Sequence, residues 1–284
     1  MGGIAEGGMR IARFRFNGKI SYGIVLGEKV IPAEKLGIPE TVEEFIASGI
    51  KVSPEGKEGI PLSKVELLAP LSNPPKIICL GLNYFDHAEE QGREPPKDPV
   101  IFLKPRTSIA GPFEDIPVPF DYTTQVDYEV ELAVVIGRKG KRIPEEEAMN
   151  YVFGYMVFND LSARDIQFGD KQWTRGKSLD KFAPMGPWIT TRDEIRDPYS
   201  LRMRTLVNGE VMQDSSTAKM AIKIPRIISV LSKGMTLEPG DIIATGTPAG
   251  VGVFRNPQRF LKPGDIVEVE IENLGFLRNR IVAE

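Results

Sequence analysis

The chain has 284 residues, 41% of them hydrophobic, with 36 basic and 39 acidic side chains and a formal net charge of −3. That is enough apolar material for one large domain or two moderate ones, and the balanced charge argues against nucleic acid as a partner. The single cysteine, Cys79, rules out an internal disulfide and any cysteine-rich metal site, so a reducing compartment, the cytoplasm, is expected.

In chain order, the opening 1–8 (MGGIAEGG) is too poor in apolar residues for a signal-peptide core and is expected to be a flexible leader. From Met9 to Ile31 apolar and polar residues alternate, with Asn17-Gly18 and Gly27-Glu28 as turns, which predicts an antiparallel meander. A short helix follows at Thr41–Ser48. The cluster Pro70, Asn73, Pro74 and Pro75 breaks regular structure, placing a boundary between a small β-rich domain (9–70) and a larger domain (71–284).

Past that break, Lys76–Leu80 reads as a buried strand. Asn83 is expected to cap a short helix that stops at Gly92. Gly81, Gly92 and Pro95-Pro96 would let residues 85–98 move as a hinged unit. Val100–Lys104 and Val152–Asn159 read as strands, Pro144 with three glutamates as a helix start, and Pro225–Lys233 as a helix ended by Gly234. The tail gives strands at Asp241–Thr245, Ile266–Glu272 and Phe276–Val282. Strands outnumber helices, so the class is α+β, mostly β, and no run approaches the roughly 18 apolar residues of a membrane span.

The segment DYEVELAVVIG (127–137) sets Glu129 and Glu131 on one face of a strand, roughly 6–7 Å apart at their Cα atoms. A solvated sheet face would account for them. Asp160, at the end of the apolar run VFGYMVFN, offers a third carboxylate, and three such oxygens suit Mg²⁺ or Mn²⁺ better than zinc. The lone histidine, His87, has Glu90 three residues on, a spacing at which a carboxylate can orient an imidazole for proton transfer; a surface histidine beside acids fits equally. Arg175-Gly-Lys-Ser178 is no phosphate loop, since Lys171 stands where the pattern needs glycine. Lys177 there is a candidate charge for an acidic substrate, and Thr245–Gly252 (TGTPAGVG) is either a plain turn or an amide cradle for an anion.

Together GLNYFDHAEE (81–90), FLKP (102–105), DYEVELAVVIG (127–137), FNDLSARD (158–165), QWTRGKSLDKFAPMGPW (172–188) and TGTPAGVG (245–252) resemble the fumarylacetoacetate hydrolase superfamily, in the family's order over 76–284. The resemblance implies a mixed β-sandwich roll preceded by the small N-terminal domain of shorter bacterial members, and a homodimer. It implies one Mg²⁺ or Mn²⁺ per chain on Glu129, Glu131 and Asp160, with His87, Glu90 and Lys177 as catalytic groups and Arg106, Lys177 and Thr247 at the substrate. The founding, longer hydrolases have a further acidic ligand that this chain lacks. The implied reaction is hydrolytic cleavage of a carbon–carbon bond in an acylpyruvate-type 2,4-dioxo acid through a stabilised enolate. Hydroxymuconate-type isomerisation and oxaloacetate decarboxylation use the same residues, and a non-catalytic binding homologue is the remaining alternative.

Overall fold

The computed structural model describes residues 8–284, so the expected leader, apart from Gly8, lies outside the described residues. A twelve-stranded mixed sheet dominates. Its main path runs Ile60–Pro61, Lys29–Pro32, Lys19–Leu26, Arg10–Phe16, Ala183–Thr191, Val152–Asn159, Val130–Ile136, Ile242–Ala244, Ile77–Gly81 and Val100–Lys104. A five-stranded sheet (Glu210–Ser216, Arg202–Val207, Ile266–Ile271, Gly275–Ala283, Ile116–Val118) packs against one side of it. The chain is mostly β, as the alternation led one to expect, and its packed sheets match the mixed β-sandwich roll that the family resemblance implied.

The N-terminal meander turns where Asn-Gly and Gly-Glu dictate, and Thr41 caps the helix Val42–Ser48 in a reciprocal pair with Glu44. The proline cluster at 70–75 does not interrupt the sheet: Arg10–Phe16 pairs with Ala183–Thr191, so the strands from Arg10–Phe16 to Ile60–Pro61 extend the larger sheet edgewise. The segment after Pro144 forms a 3₁₀ helix, Glu145–Tyr151, and Ile224–Ser232 is an α-helix with proline in its first turn.

The strand Val130–Ile136 is buried on both faces. Val130, Leu132, Val134 and Ile136 point into the core between the sheets, whereas Ala133 and Val135 point into a second core formed with Phe45, Ile77, Cys79, Met156 and Phe158. Glu131 shares the parity of that second side, so the solvated-face explanation for its pattern fails: both glutamates are buried.

Asn83 does not cap the next helix, Phe85–Glu90, whose N-cap is Tyr84. Its amide instead donates to the carbonyls of Ile222 (3.1 Å) and Thr245 (2.8 Å) and accepts from Ile222 N (2.7 Å). Long-range bonds to two buried loops outcompete the local cap because those backbone groups have no water to turn to. The preceding Leu82 takes φ 55°, an unusual conformation for a bulky residue, and Gly81 is required because a Cβ there would lie 2.2 Å from the Trp173 indole. Asn83→Ala, which orphans three buried backbone or amide groups, is expected to lower unfolding free energy by about 2–4 kcal/mol in urea titrations; a loss below about 0.5 kcal/mol would mean the latch is not structural.

Candidate active site

Glu129, at the head of the central strand, Glu131 within it and Asp160, just past the partner strand Val152–Asn159, bring carboxylate oxygens within 4.8 Å of one another. Register explains the meeting: Glu131 pairs with Phe158, and Asp160 N donates to Glu129 O, which folds Asp160 back over the pair. Among the described residues this is the one group of three acidic, histidine or cysteine side chains placed to share an ion.

Two lysines counter the charge. Lys177 Nζ lies 2.9 and 3.0 Å from the Glu129 oxygens and 3.0 Å from Asp160 Oδ2; Lys104 Nζ lies 2.7 Å from Asp160 Oδ1 and donates to the carbonyls of Leu161 and Phe182. Burial pushes the Glu131 carboxyl well up, and its neighbours Asp160 and Glu129 add to the shift. Burial also acts upward on Asp160, but Lys104 and Lys177 outweigh it and hold that carboxyl below the usual range. Burial disfavours the Lys177 ammonium, yet Asp160 and Glu129 raise its pKa overall. Glu131 accepts from Gly246 N at 2.8 Å, which ties the TGTPAGVG turn to the cluster.

The helix Phe85–Glu90 lies over this cluster and covers the cavity beside it. His87 is 7% exposed, too buried for the surface histidine that its acidic neighbours allowed for. Its Nδ1 sits 2.7 Å from Glu90 Oε1 and its Nε2 2.9 Å from the Gln91 amide nitrogen. The other Glu90 oxygen accepts from Gly250 N at 3.0 Å, docking this helix on the turn. Beneath it is a cavity of about 30 Å³ whose lining includes His87, Glu129, Lys177, Arg164, Thr247 and Trp173.

Of the expected positions, His87, Glu129, Lys177 and Thr247 line this cavity, Glu131 and Asp160 group with Glu129, and Glu90 holds His87; Thr247 accepts from Gln213 Nε2. Arg106 is elsewhere: it is exposed, donates to Asn73 Oδ1 at 3.3 Å and lines a separate groove of about 860 Å³ beside the N-terminal strands. Proximity to FLKP misled, because the chain turns away from the cavity after Pro105. The arginine in the wall is Arg164, in ARD of FNDLSARD; it is 3% exposed, its Nη2 is buried without a partner, and Gln167 accompanies it. Its place four residues after Asp160 was the signal available.

Residues 76–282 match the family described as Fumarylacetoacetate (FAA) hydrolase C-terminal. The chain belongs to the fumarylacetoacetate hydrolase family. Residues 9–70 match the N-terminal family described as Rv2993c-like. The chain is similar to the mitochondrial oxaloacetate tautomerase fahd2 of Xenopus laevis, 51% identical over 222 residues, which covers 78% of this chain and 69% of the relative. Among solved structures it is similar to a fumarylacetoacetate hydrolase from Exiguobacterium antarcticum (TM-score 0.89, 40% identity, 97% and 100% of the two chains). It is also similar to a 5-carboxymethyl-2-hydroxymuconate delta-isomerase from Mycobacterium smegmatis (0.80, 38%, 97% and 100%).

A buried, all-oxygen trio with a carboxyl as costly to ionise as Glu131 fits a hard divalent cation, whose charge would offset that cost. A carboxyl whose pKa is raised in the folded state adds stability that is full below the usual carboxylate range and is lost as pH rises through its folded pKa. Glu131→Gln is therefore expected to weaken divalent-cation binding, read in calorimetric titration, while raising the melting temperature of ion-free protein, the more so as pH rises from acid to neutral. A variant that melts lower at neutral pH would show that ionised Glu131 is not a cost.

Proposed function

We propose that the chain interconverts the keto and enol forms of a short 2-oxo dicarboxylic acid of the oxaloacetate class, with Mg²⁺ or Mn²⁺ held by Glu129, Glu131 and Asp160. The observation that carries this reading is the lid-covered cavity, with His87 above, the acid–lysine cluster below and the unpartnered Arg164 nitrogen in its wall. At about 30 Å³ it has room for only a water or two, so substrate enters with the lid open and closure favours a compact acid over a long acyl arm. The tautomerase and isomerase relatives, named for moving a proton or double bond, support this order over hydrolysis.

When bound, the metal would supply Lewis-acid polarisation of the substrate's carboxylate and 2-oxo oxygens. The chain's own residues do the rest. His87 takes the proton from the carbon beside the 2-oxo group, and Glu90, already on Nδ1, orients the ring and balances the charge it gains. Lys177 sets an ammonium beside the developing enolate oxygen, and the imidazolium of His87 then hands its proton to that oxygen to complete the enol. Arg164 offers a guanidinium to the far carboxylate, whose planar fork it matches. Phe102, Trp173 and Phe254 exclude water around them.

Hydrolytic cleavage of acylpyruvates is the second reading, favoured by the His87–Glu90 pair, which is also the unit that would activate a water. Decarboxylation of oxaloacetate would pass through the same enolate. On the same reading the protein is a cytoplasmic homodimer; the balanced charge and single buried cysteine support the compartment, and the family resemblance supports the dimer.

With Mg²⁺ or Mn²⁺, oxaloacetate tautomerisation followed by loss of enol absorbance is expected to exceed cleavage of acylpyruvates and isomerisation of hydroxymuconate-type acids. His87→Ala should lose about 100-fold or more in kcat, and Arg164→Met should raise KM for the diacid about tenfold with less change in kcat. Acylpyruvate cleavage outrunning tautomerisation would promote the second reading; a fully active His87→Ala enzyme would remove His87 from the chemistry.

A further inference from the structure

Asp127 is fully buried two residues before Glu129 and is no member of the acidic trio. Its Oδ1 accepts the amides of Tyr128 (2.9 Å) and Gly252 (2.8 Å), and its Oδ2 accepts Val253 N (2.9 Å) and Arg164 Nε (2.9 Å). Four donors fill the carboxylate. The Arg164 guanidinium is held from behind at Nε, donates Nη1 to Gln167 Oε1 at 3.0 Å, and keeps Nη2 unpartnered in the cavity wall.

The same carboxylate shapes the turn on which the lid rests. A Cβ at Gly252 would lie 2.9 Å from Asp127 Oδ1 and 1.8 Å from the Arg259 carbonyl, so the fit of the acid against this turn demands glycine. Two residues on, the Phe254 ring packs 6.1 Å from the His87 ring. Two residues back, Gly250 N holds Glu90 while Gly250 O accepts from Tyr128 Oη at 3.0 Å. Thus the residue after Asp127 ties the far end of the same turn.

We infer that Asp127 is a positioning residue: one carboxylate aims Arg164 at the substrate's second acid group and fixes the Gly250–Phe254 turn under the lid, linking the recognition arm to lid closure. The role of Arg164 rests on the function proposed above; the hold on the turn does not. Charge-assisted bonds to backbone amides and a guanidinium are among the stronger hydrogen bonds available. An asparagine would set an NH₂ against two of the four donors, inverting those contacts as well as removing the charge.

The test uses the full chain, with hydrogen exchange of ion-loaded, substrate-free protein and steady-state kinetics on oxaloacetate. Asp127→Asn is expected to speed exchange about tenfold or more in both 250–256 and 85–98, as expected for loss of charge-assisted bonds, to raise KM as Arg164→Met does, and to lower kcat beyond it. Arg164→Met, which leaves the three amide bonds in place, should change exchange in those segments less than about twofold. Unchanged exchange in Asp127→Asn, or an exchange and kinetic profile identical to Arg164→Met, would overturn the coupling. Should Asp127→Asn fail to fold, Tyr128→Phe cuts only the bond to Gly250 O; the lid segment should exchange faster, and an unaltered lid would break the link between turn and lid. If oxaloacetate is not turned over even by the parent protein, the functional reading falls while the exchange result still decides the role of Asp127.

Discussion

Three carboxylates and two ammonium groups share one water-poor space, and most of the surrounding structure answers that electrostatic demand. Glu129, Glu131 and Asp160 would repel one another if ionised and unpartnered, and burial magnifies the repulsion. Lys177 bridges Glu129 and Asp160, Lys104 holds the other oxygen of Asp160, and Gly246 supplies an amide to Glu131. Buried ion pairs are weak sources of net stability, since desolvation offsets attraction, but removing one partner leaves an expensive lone charge. The cluster is therefore better understood as an arrangement kept for its chemistry and carried by the two apolar cores around it.

Those cores explain how acids come to stand in the middle of a sheet. Strands buried on both faces normally read as continuous apolar runs, and Val130–Ile136 departs from that only at Glu131. Its neighbours Val152–Asn159 and Ile242–Ala244 clamp it by ladder bonds on both edges. The backbone that carries Glu131 has little freedom, which is the condition for holding ligand oxygens at fixed spacing. The segment over the cluster, 85–98, is joined to the scaffold largely by side-chain contacts such as Glu90 to Gly250, Ser215 to Asp86 and Arg226 to Asp98. Contacts of this kind can open without disturbing either core.

Much of this was legible in the residues. Turn glycines, period-two alternation and proline breaks located the meander, the short capped helix, the central strands and the C-terminal hairpin, because these signals are local and steric. Of the positions the motifs pointed to, His87, Glu129, Lys177 and Thr247 line one cavity, and Glu131 and Asp160 group with Glu129. Asn83 and Arg106 show where local reasoning stops. An asparagine ahead of a helix is a cap unless distant backbone groups bid more for its amide, and here Ile222 and Thr245 do. An arginine beside a motif is near the site only if the chain does not turn away, and after Pro105 it does.

By itself, then, the sequence determined the element types, the sign and hardness of the cation the acids would favour, and the pairing of His87 with Glu90, all of which follow from spacing within a single strand or helix turn. Only the tertiary structure decided that the acids are buried, that Lys104 and Lys177 neutralise them, and that Arg164 faces the cavity in place of Arg106. The hold of Asp127 on both Arg164 and the Gly252 turn belongs with these. Each joins residues 17 to 125 positions apart, and contacts at that range are set by sheet register and packing, which no local pattern encodes.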